Sequence, residues 1–159
     1  MKINFKPIGV VHTPFQETTN MPIQPAGAAG VQGAVEIYPA YAEGLKDLEG
    51  FSHIFLLYYF HRVDGFALRV KPFLDDRARG VFATRAPRRP NPIGLSAVRL
   101  MKREGNILHI ENVDILDGTP LLDIKPYVPE FDQFAAERVG WLAQAQGKVQ
   151  DKRSDDRFS

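Results

Sequence analysis

Ten residues constrain this chain more than any others: Arg85-Ala86-Pro87-Arg88-Arg89-Pro90-Asn91-Pro92-Ile93-Gly94. Each of the three prolines fixes its own φ and drives the residue before it out of the helical region. The segment must run as a stiff, extended loop and cannot belong to a helix. Three arginines ride on it. A guanidinium held on a rigid loop has already lost much of its freedom, so it grips a phosphate or carboxylate at low entropic cost. The alternative is a solvated connecting turn, but such a turn needs one proline and no arginine.

The segments around this loop read as strands. Ile3 to Val11 forms a first strand running into His12-Thr13-Pro14, and residues 16–33, rich in Pro, Gly, Gln and Thr, form a long loop. A strand resumes over 33–38. Pro39 to Leu48 reads as a short helix, with Tyr41, Leu45 and Leu48 at helical spacing and Gly50 as a stop. Phe51 to Val63 is β-prone and apolar on both faces near its middle, so it is buried on both sides or lies in an interface. Shorter strands follow at 68–73 and 80–84. Residues 96–102 alternate, Glu104-Gly105-Asn106 turns, and 107–113 returns antiparallel. After the tight turn Asp117-Gly118-Thr119-Pro120, a strand runs from Leu121 towards Tyr127.

This pattern makes the chain mainly β: a small closed barrel, rich in antiparallel pairs, with one or two short helices. The barrel covers residues 1–132. Phe134, Arg138, Trp141, Leu142 and Ala145 fit one face of a C-terminal helix over 133–147. Residues 148–159, dense in charge, form a flexible tail. No strand is followed by a Gly-x-Gly-x-x-Gly turn, which disfavours a doubly wound nucleotide-binding fold.

The 159 residues, 44% of them hydrophobic, suit a single core. Net charge is only +1, so global charge does not announce a nucleic-acid binder. The distribution says more: between Arg77 and Arg89 lie five arginines and no acid. Such a face fits an anionic ligand or an RNA backbone, unless Asp75 and Asp76 just upstream neutralise it. With no cysteine, disulfides and thiolate chemistry are excluded, and the four histidines show no metal-ligand spacing, so no metal is expected. The longest apolar run, 51–60, is about half of what a bilayer needs, and the N-terminus carries no signal pattern. No membrane association and a cytoplasmic location are expected.

Four loops hold the unusual polar residues: Gln24-Pro25-Ala26, His61-Arg62, the arginine-proline loop followed by Gly94-Leu95-Ser96, and Leu116-Asp117-Gly118-Thr119 leading to Asp123, Lys125 and Tyr127. Strand-end loops on one rim of a barrel are the usual place for a binding site. Each loop taken alone has a plain structural reading; their joint occurrence is what counts.

Those residues carry a resemblance. Phe82-Ala83-Thr84-Arg85, Arg89-Pro90-Asn91-Pro92-Ile93-Gly94 and Asp117-Gly118-Thr119-Pro120 with Asp123-Ile124-Lys125-Pro126-Tyr127 resemble the TsaA-like (TrmO) family. Ile8-Gly9-Val10, Gln24-Pro25, Leu48-Glu49-Gly50-Phe51-Ser52-His53 and His61 match the same pattern in the same order, over about residues 5–132. The resemblance implies a β-barrel homodimer that binds S-adenosylmethionine without a Rossmann fold. It implies methyl transfer to N6 of N6-threonylcarbamoyladenosine 37 in the tRNA anticodon loop. It places the cofactor at Gln24, Pro25, Ala26, His61, Arg62, Arg85, Leu95, Leu116, Asp117, Gly118 and Thr119. The sequence departs from the family pattern at Arg62 and Arg88, where members vary.

The acceptor nitrogen sits between a carbonyl and an aromatic ring and is a poor nucleophile, so a base that takes or polarises its N–H helps. Asp123, Asp117 and His61 are the candidates, with Asp123 favoured slightly. Arg88, Arg89 or Lys125 can pair with the threonyl carboxylate. The remaining arginines, with Asn91 beside them on the loop, meet the anticodon-loop phosphates, and Tyr127 either stacks on an unpaired base or fills the core. Two other readings compete: a methyltransferase of the same fold with a different small-molecule or nucleic-acid acceptor, and a non-catalytic RNA-binding barrel. The latter calls for a row of exposed aromatics on one sheet face.

Overall fold

The computed structural model describes residues 1–145 and 153–154. Six strands close into a barrel in the order β1-β2-β7-β6-β3-β8, every neighbouring pair antiparallel. They are β1 (Gly9–His12), β2 (Gln32–Ile37), β3 (His53–Tyr59), β6 (Ile93–Glu104), β7 (Ile107–Glu111) and β8 (Thr119–Pro126). Closure comes from β1, which pairs with β2 on one side and with β8 on the other. A separate two-stranded sheet joins β4 (Arg69–Val70) to β5 (Arg79–Gly80).

The period-2 pattern decides what faces inward. Along β3, Ile54, Leu56 and Tyr58 are buried while Phe55 and Leu57 are half-buried, so the strand alternates rather than being buried on both faces. Along β6, Gly94, Ser96, Val98 and Leu100 point in. Ile54, Leu56, Tyr58, Val98 and Leu100 form one core with Val11, Val35, Ile37, Leu108, Ile110, Val113, Ile115 and Leu121. Each large aliphatic chain fully withdrawn from water contributes about 1.5–3 kcal/mol. The β6–β7 hairpin turns through Gly105, whose φ of 60° starts a two-residue loop that an L side chain would strain.

The helices are shorter than the sequence suggests. Pro39–Leu45 and Leu48–Gly50 are separate 3-10 helices, broken at Asp47, which adopts a left-handed φ of 69°. The first strand starts only at Gly9 and β3 stops at Tyr59. Of the stretches read as strands at 68–73 and 80–84, only β4 and β5 pair, and Val81–Ala83 turns as a 3-10 helix. A four-residue helix α1 (Pro129–Asp132) follows the barrel, and 3-10 helix Gly140–Ala145 stands where a longer helix is expected; residues 146 and 147 lie outside the described residues. Of the expected tail, two residues are described, and both are tied to the long loop between β1 and β2. Arg153 bridges to Pro22, and Ser154 donates through Oγ to the Thr18 carbonyl at 2.8 Å.

Candidate functional site

Antiparallel pairing gathers one set of strand ends on one rim. The end of β3, the start of β6 and the start of β8 meet there, since Tyr58 pairs with Gly94 in β6 and with Leu121 in β8. A cavity of about 690 Å³ opens at this rim, within the size range of small-molecule sites. Residues 22–24 form one wall, 60–63 and 82–87 two others, and 93–95 with 114–116 the floor. Trp141, Leu142 and Ser154 border it from the C-terminal side.

Of the expected cofactor residues, Gln24, His61, Arg62, Arg85, Leu95, Leu116 and Thr119 line this cavity. Gln24 and Arg85 touch: Arg85 Nη1 donates to Gln24 Oε1 at 2.7 Å. Pro25 and Ala26 turn away from it in a 3-10 helix. Asp117 and Gly118 sit just outside. Asp117 is occupied with structure, its carboxylate accepting the Thr13 N–H at 2.9 Å and lying 3.3 Å from Gln16 Nε2, while the Gly118 N–H donates to the Val11 carbonyl.

The arginine-proline loop does not hold its arginines out as a set. Arg89 lines the cavity but donates through Nη1 to the Thr84 and Ala86 carbonyls at 2.9 and 3.0 Å, so it staples the loop. Arg88 is half-buried off the cavity, and Asn91 is exposed outside it. Upstream, Asp75 pairs with Arg79 at 2.5 Å, so the basic run is partly neutralised, as the acids just before it suggest.

Asp123, Lys125 and Tyr127 belong to the other end of the barrel. The strand β8 leaves the cavity rim at Thr119 and rises about 3.3 Å per residue, carrying Lys125 about 20 Å along. Asp123 pairs with Lys125 at 2.9 Å and lines a second cleft beside Tyr41, Leu48 and Phe51. Tyr127 packs edge-on against Phe55 and His53. Of the three base candidates, only His61 reaches the main cavity. Burial, helped by the neighbouring Arg62, pushes its imidazole below the usual histidine value, which keeps it neutral at physiological pH.

Sequence reasoning names Ser96 only as the end of the arginine-proline loop and misses the polar group it forms behind the cavity floor with Tyr58 and Asp114. Ser96, 1% exposed, donates to Asp114 Oδ1 at 2.6 Å and lies 2.9 Å from the Tyr58 hydroxyl. Burial and the Asp114 charge push the Tyr58 phenol far up, so it stays protonated. Burial also pushes the Asp114 carboxyl up, to about 6, against the Ser96 hydrogen bond and the Arg85 charge. The sequence signal is faint: Asp114 stands alone between two apolar residues, a pattern that ordinary strand ends share. Among the described residues no cluster of His, Asp or Glu could hold a metal ion, and no helix is long and apolar enough to cross a membrane.

A family model of the tRNA-methyltransferase O N-terminal domain matches residues 10–133. The chain belongs to this family. A probable S-adenosyl-L-methionine-binding protein of Pyrococcus abyssi is 55% identical over 158 residues, spanning 99% of this chain and 86% of its own length. The Escherichia coli tRNA (adenine(37)-N6)-methyltransferase is 40% identical over 135 residues, which cover 79% of this chain but 57% of that protein. The crystal structure of TrmO from Pseudomonas aeruginosa superposes with a TM-score of 0.75 at 41% identity, covering 89% of this chain and 63% of that one. The TrmO-family match spans all six barrel strands except Gly9, the first residue of β1.

Proposed function

We propose that this protein binds S-adenosylmethionine in the rim cavity and methylates N6 of adenosine 37 in tRNA, with N6-threonylcarbamoyladenosine as the preferred acceptor. The observation that carries the reading is the convergence of residues 22–24, 61–62, 84–87, 89, 93–95, 114–116 and 119 on one cavity, within a TrmO-family barrel.

The lining suits the cofactor. Phe60, Phe73, Leu95, Ile115 and Leu116 offer apolar surface to a flat purine and a short thioether chain. Arg85, positioned by Gln24, supplies a charge-assisted donor for a carboxylate. When bound, the cofactor supplies a methyl group already activated on a sulfonium, so the protein's work is largely positioning. Arg89, clamped by two carbonyls through Nη1, keeps its other N–H groups for the threonyl carboxylate of the acceptor. Arg62, exposed at the mouth, meets an anticodon-loop phosphate. The Tyr58, Ser96 and Asp114 floor brings a carboxylate into an otherwise apolar and cationic site. A homodimer belongs to this reading, with Phe82 and Leu95, which line the cavity yet remain exposed, as apolar surface for a second copy.

Incubation with methyl-labelled cofactor and tRNA carrying or lacking the threonylcarbamoyl group tests the reading. Label should enter only the modified tRNA, at adenosine 37. Equal labelling of both tRNAs would defeat the acceptor assignment.

A further inference from the structure

We infer that Asp114 is the proton acceptor of the transfer reaction, the carboxylate that takes the N6 hydrogen as the new N–C bond forms. The inference rests on the methyl-transfer reading above.

Position comes first. Asp114 lines the cavity that holds Arg85, His61 and Leu95, and it is the only carboxylate among the described residues that does. Wiring comes second. The Ser96 hydroxyl has one hydrogen and donates it to Asp114 Oδ1, so the 2.9 Å contact with Tyr58 must be a bond from the phenol to Ser96. Two buried hydroxyls thus point in series at one oxygen of the carboxylate and hold it in place. The backbone N–H of Asp114 also hydrogen-bonds its own carboxylate, and no other side-chain donor meets Asp114 among the described residues, which leaves the carboxylate lone-pair capacity to accept a proton from a molecule in the cavity. Basicity comes third. The groups facing this carboxylate are Tyr58 from β3, Ser96 from β6 and Arg85 from the loop before β6, while His61, Arg62 and Arg89 share the cavity. Burial outweighs the cations, so Asp114 is more basic than an ordinary aspartate yet ionised at neutral pH, which suits a general base.

The rivals are worse placed. Asp117 is engaged by the Thr13 amide, and Asp123 lies far along β8. His61 lines the cavity, but nothing orients its ring through a hydrogen bond among the described residues. The step balances. The N6 lone pair forms the bond to carbon, and the carbon–sulfur bond breaks with its pair left on sulfur, turning the sulfonium into a neutral thioether. The N6 proton moves to Asp114, which later releases it to water at the cavity mouth.

The experiment compares wild type with Asp114→Asn, Asp114→Glu and Ser96→Ala. Calorimetry measures S-adenosylmethionine affinity, and single-turnover transfer to threonylcarbamoylated tRNA is followed from about pH 5 to about pH 8. Asp114→Asn should keep cofactor affinity within about threefold and lose about 100-fold or more in transfer rate. Asp114→Glu should recover part of that rate. Ser96→Ala removes a bond that favours the ionised carboxylate, so the acidic limb of its rate profile should move to higher pH. Full activity in Asp114→Asn, a loss confined to cofactor affinity, or an unmoved limb in Ser96→Ala would each overturn the inference. If Asp114→Asn fails to fold, the limb in Ser96→Ala decides. A wild type that methylates no tRNA defeats the functional reading and this inference together; an active wild type matched by Asp114→Asn defeats the inference alone.

Discussion

Arg85 Nη1 donates to Gln24 Oε1 at 2.7 Å across 61 positions of the chain, joining the arginine-proline loop to the loop before β2. The bond aims the guanidinium without neutralising it. Arg85→Ala should weaken S-adenosylmethionine binding by about 10- to 100-fold, the range of a lost charge-assisted hydrogen bond. Arg85→Lys should recover only part, because an ammonium cannot reproduce the fork. Calorimetric titration checks both, and an unchanged affinity in Arg85→Ala would place the cofactor elsewhere.

Gly94 tolerates no side chain. A Cβ there would overlap the Tyr58 ring and approach Phe60 Cζ at 2.9 Å. Gly94→Ala should cost about 1–3 kcal/mol, as overpacked cores do, and should also disturb the Tyr58–Ser96 contact. Denaturant unfolding reads the first effect, and a midpoint equal to wild type would show that the rings move aside freely.

Asp123→Ala should leave transfer unchanged and alter stability by at most about 1 kcal/mol, since its partner Lys125 is exposed. A large loss of activity would restore the far end of β8 to the mechanism.

The sole tryptophan, Trp141, borders the cavity and donates through Nε1 to the Ala83 carbonyl at 2.8 Å. Cofactor binding should therefore change its fluorescence in a saturable way, with the midpoint found by calorimetry. Trp141→Phe should abolish the signal. A wild-type spectrum flat through saturation would separate this side chain from the occupied volume.

Asp114 makes stability depend on pH. Its folded carboxyl ionises at about 6, whereas an unfolded aspartate ionises at about 3.9. Between these values the folded state holds more protons, so this contribution falls as pH rises and is flat above about 6. The stability of Asp114→Asn relative to wild type should therefore improve by on the order of 2–3 kcal/mol from about pH 4 to about pH 7. His61 acts in the opposite sense, its contribution being lost as pH falls through the histidine range, but it is common to both proteins and cancels. Parallel urea titrations at both pH values check this, and a constant difference would mean that Asp114 ionises normally.

Much of the fold is legible in the residues because its signals are local. The β6–β7 hairpin declares itself through alternation on both sides of Gly105, and the barrel follows from strands linked by turns. The gathering of Gln24, His61, Arg85 and Leu116 is legible through the family resemblance that the motifs carry. Asp114 is not, because its environment is made by Ser96 and Tyr58, which alternation marks only as inward positions of other strands. The distance of Asp123 from the site escapes for a related reason: adjacency to Thr119 in sequence says nothing of direction until β8 is laid along β3. The helices at 39–48 and 133–147 mislead because apolar spacing marks a face but not hydrogen bonding, and short 3-10 turns satisfy the same spacing.

The closure of the barrel by β1 against β8 has a consequence for synthesis on the ribosome. The first strand emerges early but cannot complete its pairing until Thr119 to Leu121 have left the exit tunnel, and the cavity floor at Asp114 emerges only just before them. Nascent chains released before that point carry every arginine of the proline loop but no enclosed site. The cavity is thus enclosed only after β8 has emerged, and Trp141, Leu142 and Ser154, which also border it, come later still.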